Sequence, residues 1–179
     1  MKPALLPKSV LAATAVLAAL TACTAPPPAE SAPPVPPVDA APDTVRDQVV
    51  ALVEQYYADL SARDWPRVAE YFWPSASLAT PWQPPGEPDE RVVIMTIEQF
   101  IEQAPLGPGS REIFEERLDS ARVRGSDSIA QVWAWYSARF GDPGRVESWT
   151  GVDAFTLIRH DGRWRITSLG YVNDVDGPR

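Results

Sequence analysis

Asp161-Gly162 is the firmest turn signal in this chain. An Asp-Gly pair supplies the two positive φ values of a two-residue type I′ hairpin, and it stands here between two runs of alternating side chains. The alternation extends upstream. From Arg111 to Val172 there are four such runs, near 112–124, 129–140, 147–159 and 163–172, parted by Gly125-Ser126-Asp127, Gly141-Asp142-Pro143-Gly144 and Asp161-Gly162. This pattern predicts an antiparallel meander. A tight last turn sets His160 against Arg163, Leu157 against Ile166 and Phe155 against Ser168. One face then carries Asp153, Phe155, Leu157, Trp164 and Ile166, and the other Ala154, Thr156, Ile158, Thr167, Leu169 and Tyr171. Both faces are substantially apolar, so both need cover. Helices can cover one, and a second copy of the chain is the economical cover for the other, which makes a homodimer the expectation.

The helices precede the meander. Thr44 followed by Asp47 has capping-box spacing, and Val45, Val49, Leu52, Val53, Tyr56 and Leu60 recur at helical intervals, predicting a helix to about Ala62. Asp64 can cap a shorter helix with Pro66 in its first turn, Val68 and Phe72 on its apolar face and Pro74 as its stop. Thr96 and Gln99 have the spacing of a third cap, ahead of Phe100 and Ile101 and before Pro105.

The first 43 residues differ in kind. Lys2 and Lys8 precede Val10–Leu20, an apolar run of eleven residues. A bilayer-spanning helix takes about 20, so the run predicts a cleaved export signal and not a permanent span. Leu20-Thr21-Ala22-Cys23 resembles the lipobox of bacterial lipoproteins, which implies cleavage before Cys23, lipid on its thiol, and an exported chain tethered to a membrane. Between Ala25 and Asp43 lie eight of the chain's twenty prolines with no hydrophobic period, the pattern of an extended, disordered tether. The expected layout is therefore a signal over 1–22, a lipidated Cys and tether over 23–43, one domain over 44–174 and a tail over 175–179.

Composition narrows the chemistry. Both lysines fall in the expected signal, so the mature chain sets 14 arginines against 24 acids, a net charge of −10. A surface this acidic repels phosphate backbones, and nucleic acid is not an expected partner. Cys23 is the single cysteine and His160 the single histidine, which leaves no His/Cys metal site, and neither a metal nor another cofactor is expected.

Three segments together resemble the nuclear transport factor 2-like superfamily: Val53-Glu-Gln-Tyr-Tyr-Ala-Asp-Leu-Ser-Ala-Arg-Asp64-Trp, Phe72-Trp-Pro-Ser-Ala-Ser-Leu78, and the hairpin Phe155-Thr-Leu-Ile-Arg-His-Asp-Gly-Arg-Trp-Arg-Ile166. The superfamily includes ketosteroid isomerases, scytalone dehydratase and polyketide cyclases of the SnoaL type. The resemblance implies an α+β cone, a curved antiparallel sheet wrapped around N-terminal helices with an apolar pocket inside. Carried over from the ketosteroid isomerases, it puts the proton-donating tyrosine at Tyr56, Thr80 ahead of Pro81 where the general base would be, and Ala154 where the protonated aspartate would be. Thr80 has no useful pKa for proton abstraction, so two of three roles are vacant.

Asp153 lies one residue from the vacant position, and a one-residue bulge would exchange the faces. Pointed into an apolar pocket it becomes the acid/base candidate, with Tyr56 as partner; paired with an arginine or turned outward it is structural. The pocket candidates are Tyr56, Trp133, Trp135, Tyr136, Phe155 and Tyr171. His160, at the hairpin mouth, has no partner that the sequence reveals. The leading expectation is a non-catalytic membrane-anchored module holding a small apolar ligand or a partner. The alternatives are a metal-free isomerase, dehydratase or cyclase using Asp153 and Tyr56, and a structural or interaction protein whose pocket is filled by its own side chains.

Overall fold

A computed structural model describes residues 41–83 and 86–173. The signal, Cys23, the tether up to residue 40 and the tail 175–179 lie outside the described residues. Helix α1 spans Asp43–Ser61 and buries Val45, Val49, Val53, Tyr56, Tyr57 and Leu60 along one stripe. Its first turn follows Pro42 without a side-chain cap, so Thr44 lies inside the helix and does not cap it. Helix α2, Trp65–Glu70, begins as expected, with the Asp64 carboxylate accepting from Arg67 N at 3.2 Å. It ends two residues before Phe72, which opens strand β1 (Phe72–Trp82), and Pro74 lies within that strand. Strand β2 is Arg91–Thr96. Thr96 then closes a full capping box with Gln99 on helix α3, Ile97–Gln103, and a 3₁₀ turn, Ala104–Leu106, follows.

The four predicted strands are β3 (Ile113–Gly125), β4 (Ile129–Asp142), β5 (Arg145–His160) and β6 (Arg163–Asn173). With β1 and β2 they form one sheet in the order β2-β1-β6-β5-β4-β3. Every neighbouring pair is antiparallel except β1 with β6, which run parallel. The last turn has φ of 49° at Asp161 and 75° at Gly162, the two positive values of a type I′ turn.

The register departs from the expected one at Thr167. His160 opposes Arg163 and Leu157 opposes Ile166, but Thr156 opposes Ser168 and Phe155 opposes Leu169, so Thr167 is an extra residue in β6. Its hydroxyl donates to the Thr156 carbonyl at 3.1 Å and ties the bulge down. Beyond the bulge the alternation reverses, and Leu169 and Tyr171 join Asp153, Phe155, Leu157 and Ile166 on the inner face. The outer face of this hairpin therefore loses its two largest expected side chains and keeps Ala154, Thr156 and Ile158. A second bulge at Asp119 in β3, between the pairs Leu118 with Tyr136 and Ser120 with Trp135, adds to the curvature.

The curved sheet closes on α1. Ala130, Val132, Ala134, Tyr136 and Ala138 of β4 are all buried on the inner face, packed with Phe155, Leu157, Ile166 and Leu169 against the α1 stripe. Three small residues keep this layer thin. Ala138 lies between Glu116 and Trp149, Ala134 beside Asp153, and Gly151 opposite Tyr136. At Gly151 a Cβ would stand 2.4 Å from the Tyr136 ring, so Tyr136 lies across a position that only glycine can leave open. No helix among the described residues is long and apolar enough to cross a membrane.

Candidate functional site

Where the inner layer is thin, a cavity of about 170 Å³ remains beneath α1. Tyr56 and Leu60 reach it from α1, Glu116 from β3, Tyr136 from β4, Trp149 and Asp153 from β5, and Leu169, Tyr171 and Asn173 from β6. A second, wider recess of about 410 Å³ shares Phe100, Pro108, Tyr171 and Asn173 with it. Trp82, Val93, Met95 and Leu106 line this recess, and Leu106 is 86 % exposed. The arrangement is a small polar-tipped chamber behind an apolar mouth.

Asp153 is 4 % exposed and points inward. Its Oδ2 accepts from Tyr57 Oη at 2.8 Å, and this bond is buried. Of the two readings available from sequence, the carboxylate is neither paired with an arginine nor turned outward. Burial pushes its pKa up to about 7, against which the Tyr57 hydrogen bond acts. Its hydrogen-bonded tyrosine is Tyr57, one residue on from the expected Tyr56. Tyr56 also lines the cavity, packed by its ring against Tyr57, Phe72 and Phe155, and its hydroxyl makes no hydrogen bond among the described residues. The hydroxyls of Tyr56, Tyr57 and Tyr136 are all held well above their ordinary pKa, first by burial and then by the charge of Asp153. Tyr171 is pushed up to about 12 for the same reasons. The Tyr136 hydroxyl is engaged, donating to Asn173 Oδ1 at 2.7 Å.

Glu116 is the residue that sequence reasoning missed. Its backbone is fixed by Ser61, whose hydroxyl donates to the Glu116 carbonyl at 2.9 Å and accepts from its N–H at 2.8 Å. The carboxylate faces the cavity, and burial, followed by the nearby Asp153, pushes its pKa up to about 8. The available signal was its place in β3: Glu116 alternates with Phe114 and Leu118 on the inner face, an acid in a row of apolar residues.

The other candidates fall elsewhere. Trp133 and Trp135 project from the outer face of β4 with Gln131, where Arg122 stacks over Trp135 at 5.3 Å, so they line an external groove and not the cavity. Phe155 is core, 1 % exposed between Tyr56 and Tyr57. His160 is exposed on the hairpin turn, 3.5 Å from Asp161. Ala154 faces outward beside Trp133, and Thr80 lines the mouth. Among the described residues no group of His, Cys, Asp and Glu is placed to hold a metal ion.

The model of a family described as "putative lumazine-binding" matches residues 44–172. No curated protein matches the chain. Solved structures share the fold at low identity. An NTF-2 like protein of unknown function from Silicibacter pomeroyi is 20 % identical, with a TM-score of 0.52, over 73 % of this chain and 96 % of its own. A nuclear transport factor 2 superfamily protein from Salmonella enterica is 14 % identical, with a TM-score of 0.58, over 75 % and 94 %. A "putative dehydratase from the NTF2-like family" of Streptomyces avermitilis is 16 % identical, with a TM-score of 0.59, over 75 % and 99 %.

Asp153 and Glu116 have raised pKa values, so the folded chain holds protons that the unfolded chain releases near pH 4. Stability from this source is complete below about pH 4 and lost as pH rises through the folded values of about 7 and about 8. The urea midpoint is expected to fall between about pH 5 and about pH 8.5, and to fall less in Asp153→Asn, which keeps an acceptor for Tyr57 and cannot ionise. A midpoint that is flat or rises over this range in the wild type would contradict the burial of these two groups.

Proposed function

Because the chain belongs to the "putative lumazine-binding" family and has the nuclear transport factor 2-like cone fold, we propose that it binds a small ring-shaped molecule in the cavity beneath α1. The observation that carries this reading is the union of a chamber of about 170 Å³, tipped by Asp153, Glu116 and the Tyr56 hydroxyl, with an apolar mouth. Concave, mostly apolar sites with a few convergent polar groups are the usual form of small-molecule sites. An apolar body fits the Trp82, Met95, Phe100 and Leu106 wall, and a hydrogen-bonding edge fits the chamber. The family description adds lumazine as a probe.

A second reading is favoured by one observation, the inward Asp153 with a pKa near neutrality beside two tyrosines. A general acid or base works best with a pKa close to the operating pH and contributes roughly 10² to 10⁴ in rate. On that reading the protein is a metal-free isomerase, dehydratase or cyclase, with Asp153 moving the proton and Tyr56 donating to the developing oxyanion. Turnover of a conjugated enone that vanishes in a folded Asp153→Asn variant would select it.

Around the domain, we propose the envelope placement implied by the lipobox: lipid on Cys23, export, and tethering to a membrane. The outer face of β4, where Trp133 is 51 % exposed, is the proposed surface for a second copy. The full chain expressed in bacteria is expected in the detergent phase on partitioning, and Cys23→Ser in the aqueous phase. Wild-type protein in the aqueous phase with an unmodified amino terminus would contradict the anchor.

The cavity reading is tested by thermal shift with single-ring and bicyclic fragments that include lumazine. Ligand at 100 times its dissociation constant stabilises by about 2.7 kcal/mol, a readable shift. Binding is expected in the wild type and about tenfold weaker in Leu169→Phe, which extends a side chain into the chamber. Equal shifts in both proteins, or none in the wild type, would refute this site.

A further inference from the structure

The chamber has an unusual charge inventory. Its lining includes two carboxyl groups, Asp153 and Glu116, and no lysine, arginine or histidine. The arginines that flank Glu116 on β3 and β4 are engaged with other acids, Arg117 with Asp119 at 3.5 Å and Arg139 with Glu115 at 2.8 Å. The Glu116 carboxylate accepts no hydrogen bond and forms no ion pair among the described residues. Asp153 accepts one, from Tyr57. Tyr56, 3 % exposed, presents to the same space a hydroxyl with no partner among the described residues. The remaining polar walls are Asn173 and the aromatic side chains of Tyr136, Trp149 and Tyr171.

Acids withdrawn from water without a counter-charge are costly when ionised, and among the described residues no lysine, arginine or histidine lines the chamber beside them. An anionic ligand would add a third negative charge. A neutral one would leave both carboxyls dependent on their protons. A ligand cation relieves both at once, because its N–H groups donate to the carboxylates and its charge lies against ring faces.

Resting on the cavity reading above, we propose that the ligand is an organic cation: a single ring bearing a protonated amine or an amidinium, its N–H groups held by Asp153 and Glu116 and its charge faced by the Tyr56, Tyr136, Trp149 and Tyr171 rings. The titratable groups that meet there are Tyr56 and Tyr57 from α1, Glu116 from β3, Tyr136 from β4, Asp153 from β5 and Tyr171 from β6. The upward shifts of Asp153 and Glu116 agree with a missing positive charge, and binding at neutral pH releases their protons.

The test is isothermal titration calorimetry on the full chain at about pH 7. Benzamidinium is compared with benzamide, and benzylammonium with benzyl alcohol, in two buffers of different ionisation heat. Each cation is expected to bind at least about tenfold tighter than its neutral isostere, with proton release seen as a buffer-dependent heat. Glu116→Gln and Asp153→Asn are each expected to weaken the cation about tenfold and so to erase most of its advantage over the neutral isostere. The wild-type comparison stands without either variant, should one of them fold poorly. Neutral isosteres that bind as tightly as the cations overturn the cation assignment and leave the cavity reading intact. Absence of binding by all four compounds also overturns it, and the fragment panel with Leu169→Phe then decides separately whether the cavity reading falls.

Discussion

The hydrogen bond from Tyr57 Oη to Asp153 Oδ2, 2.8 Å long and buried, joins α1 to β5 across 96 residues of sequence. It fixes the helix over the inner face beside the polar end of the cavity. A carboxyl held there has lost most of its hydration, and one neutral donor returns only part of what water gave. What surrounds it follows from that deficit. The tyrosine hydroxyls of the site are raised by burial and by this carboxylate, and Glu116 is raised by burial and then by Asp153. The charge of Asp153 thus bears on each of the other acidic groups at the polar end of the cavity.

The space around that group is made by small residues and one bulge. Ala134, Ala138 and Gly151 leave the inner layer thin beside Asp153, Glu116 and Tyr136. The extra residue at Thr167 swings Leu169 and Tyr171 inward, and these two close the β6 side of the chamber. Without the bulge both would face outward, and Asp153 would look into an open sheet. The same shift leaves the outer face of the last hairpin with Ala154, Thr156 and Ile158.

The meander was legible because its signals are local, whereas the α+β cone was implied by the resemblance of three segments to the nuclear transport factor 2-like superfamily. Asp161-Gly162 has a turn type that its residues demand, and four alternating runs leave few pairings open. Helices α2 and α3 were legible from Asp64 and from Thr96 with Gln99, whose side chains do the capping seen in the structure. β1 was hidden because its sequence, Phe-Trp-Pro-Ser-Ala-Ser-Leu-Ala-Thr-Pro-Trp, carries two prolines; the strand is bent at Ser75, with φ of 63°. The candidate site was half legible. Asp153 and Tyr56 are in it, but the partner Tyr57 and the second acid Glu116 depend on register. A bulge held by a hydroxyl to carbonyl bond at Thr167 leaves no period in the sequence that marks it.

The central claim is that two carboxyls, Asp153 buried and Glu116 partly buried, line one chamber with no positive charge among its described residues, and their own ionisation reports it most directly. Carbon-13 chemical shifts of the side-chain carboxyls, followed from about pH 3 to about pH 9.5 and assigned through Asp153→Asn and Glu116→Gln, read each group in place. The account predicts midpoints near neutrality, at about 7 for Asp153 and about 8 for Glu116. Midpoints in the ordinary range near pH 4 for both would contradict it.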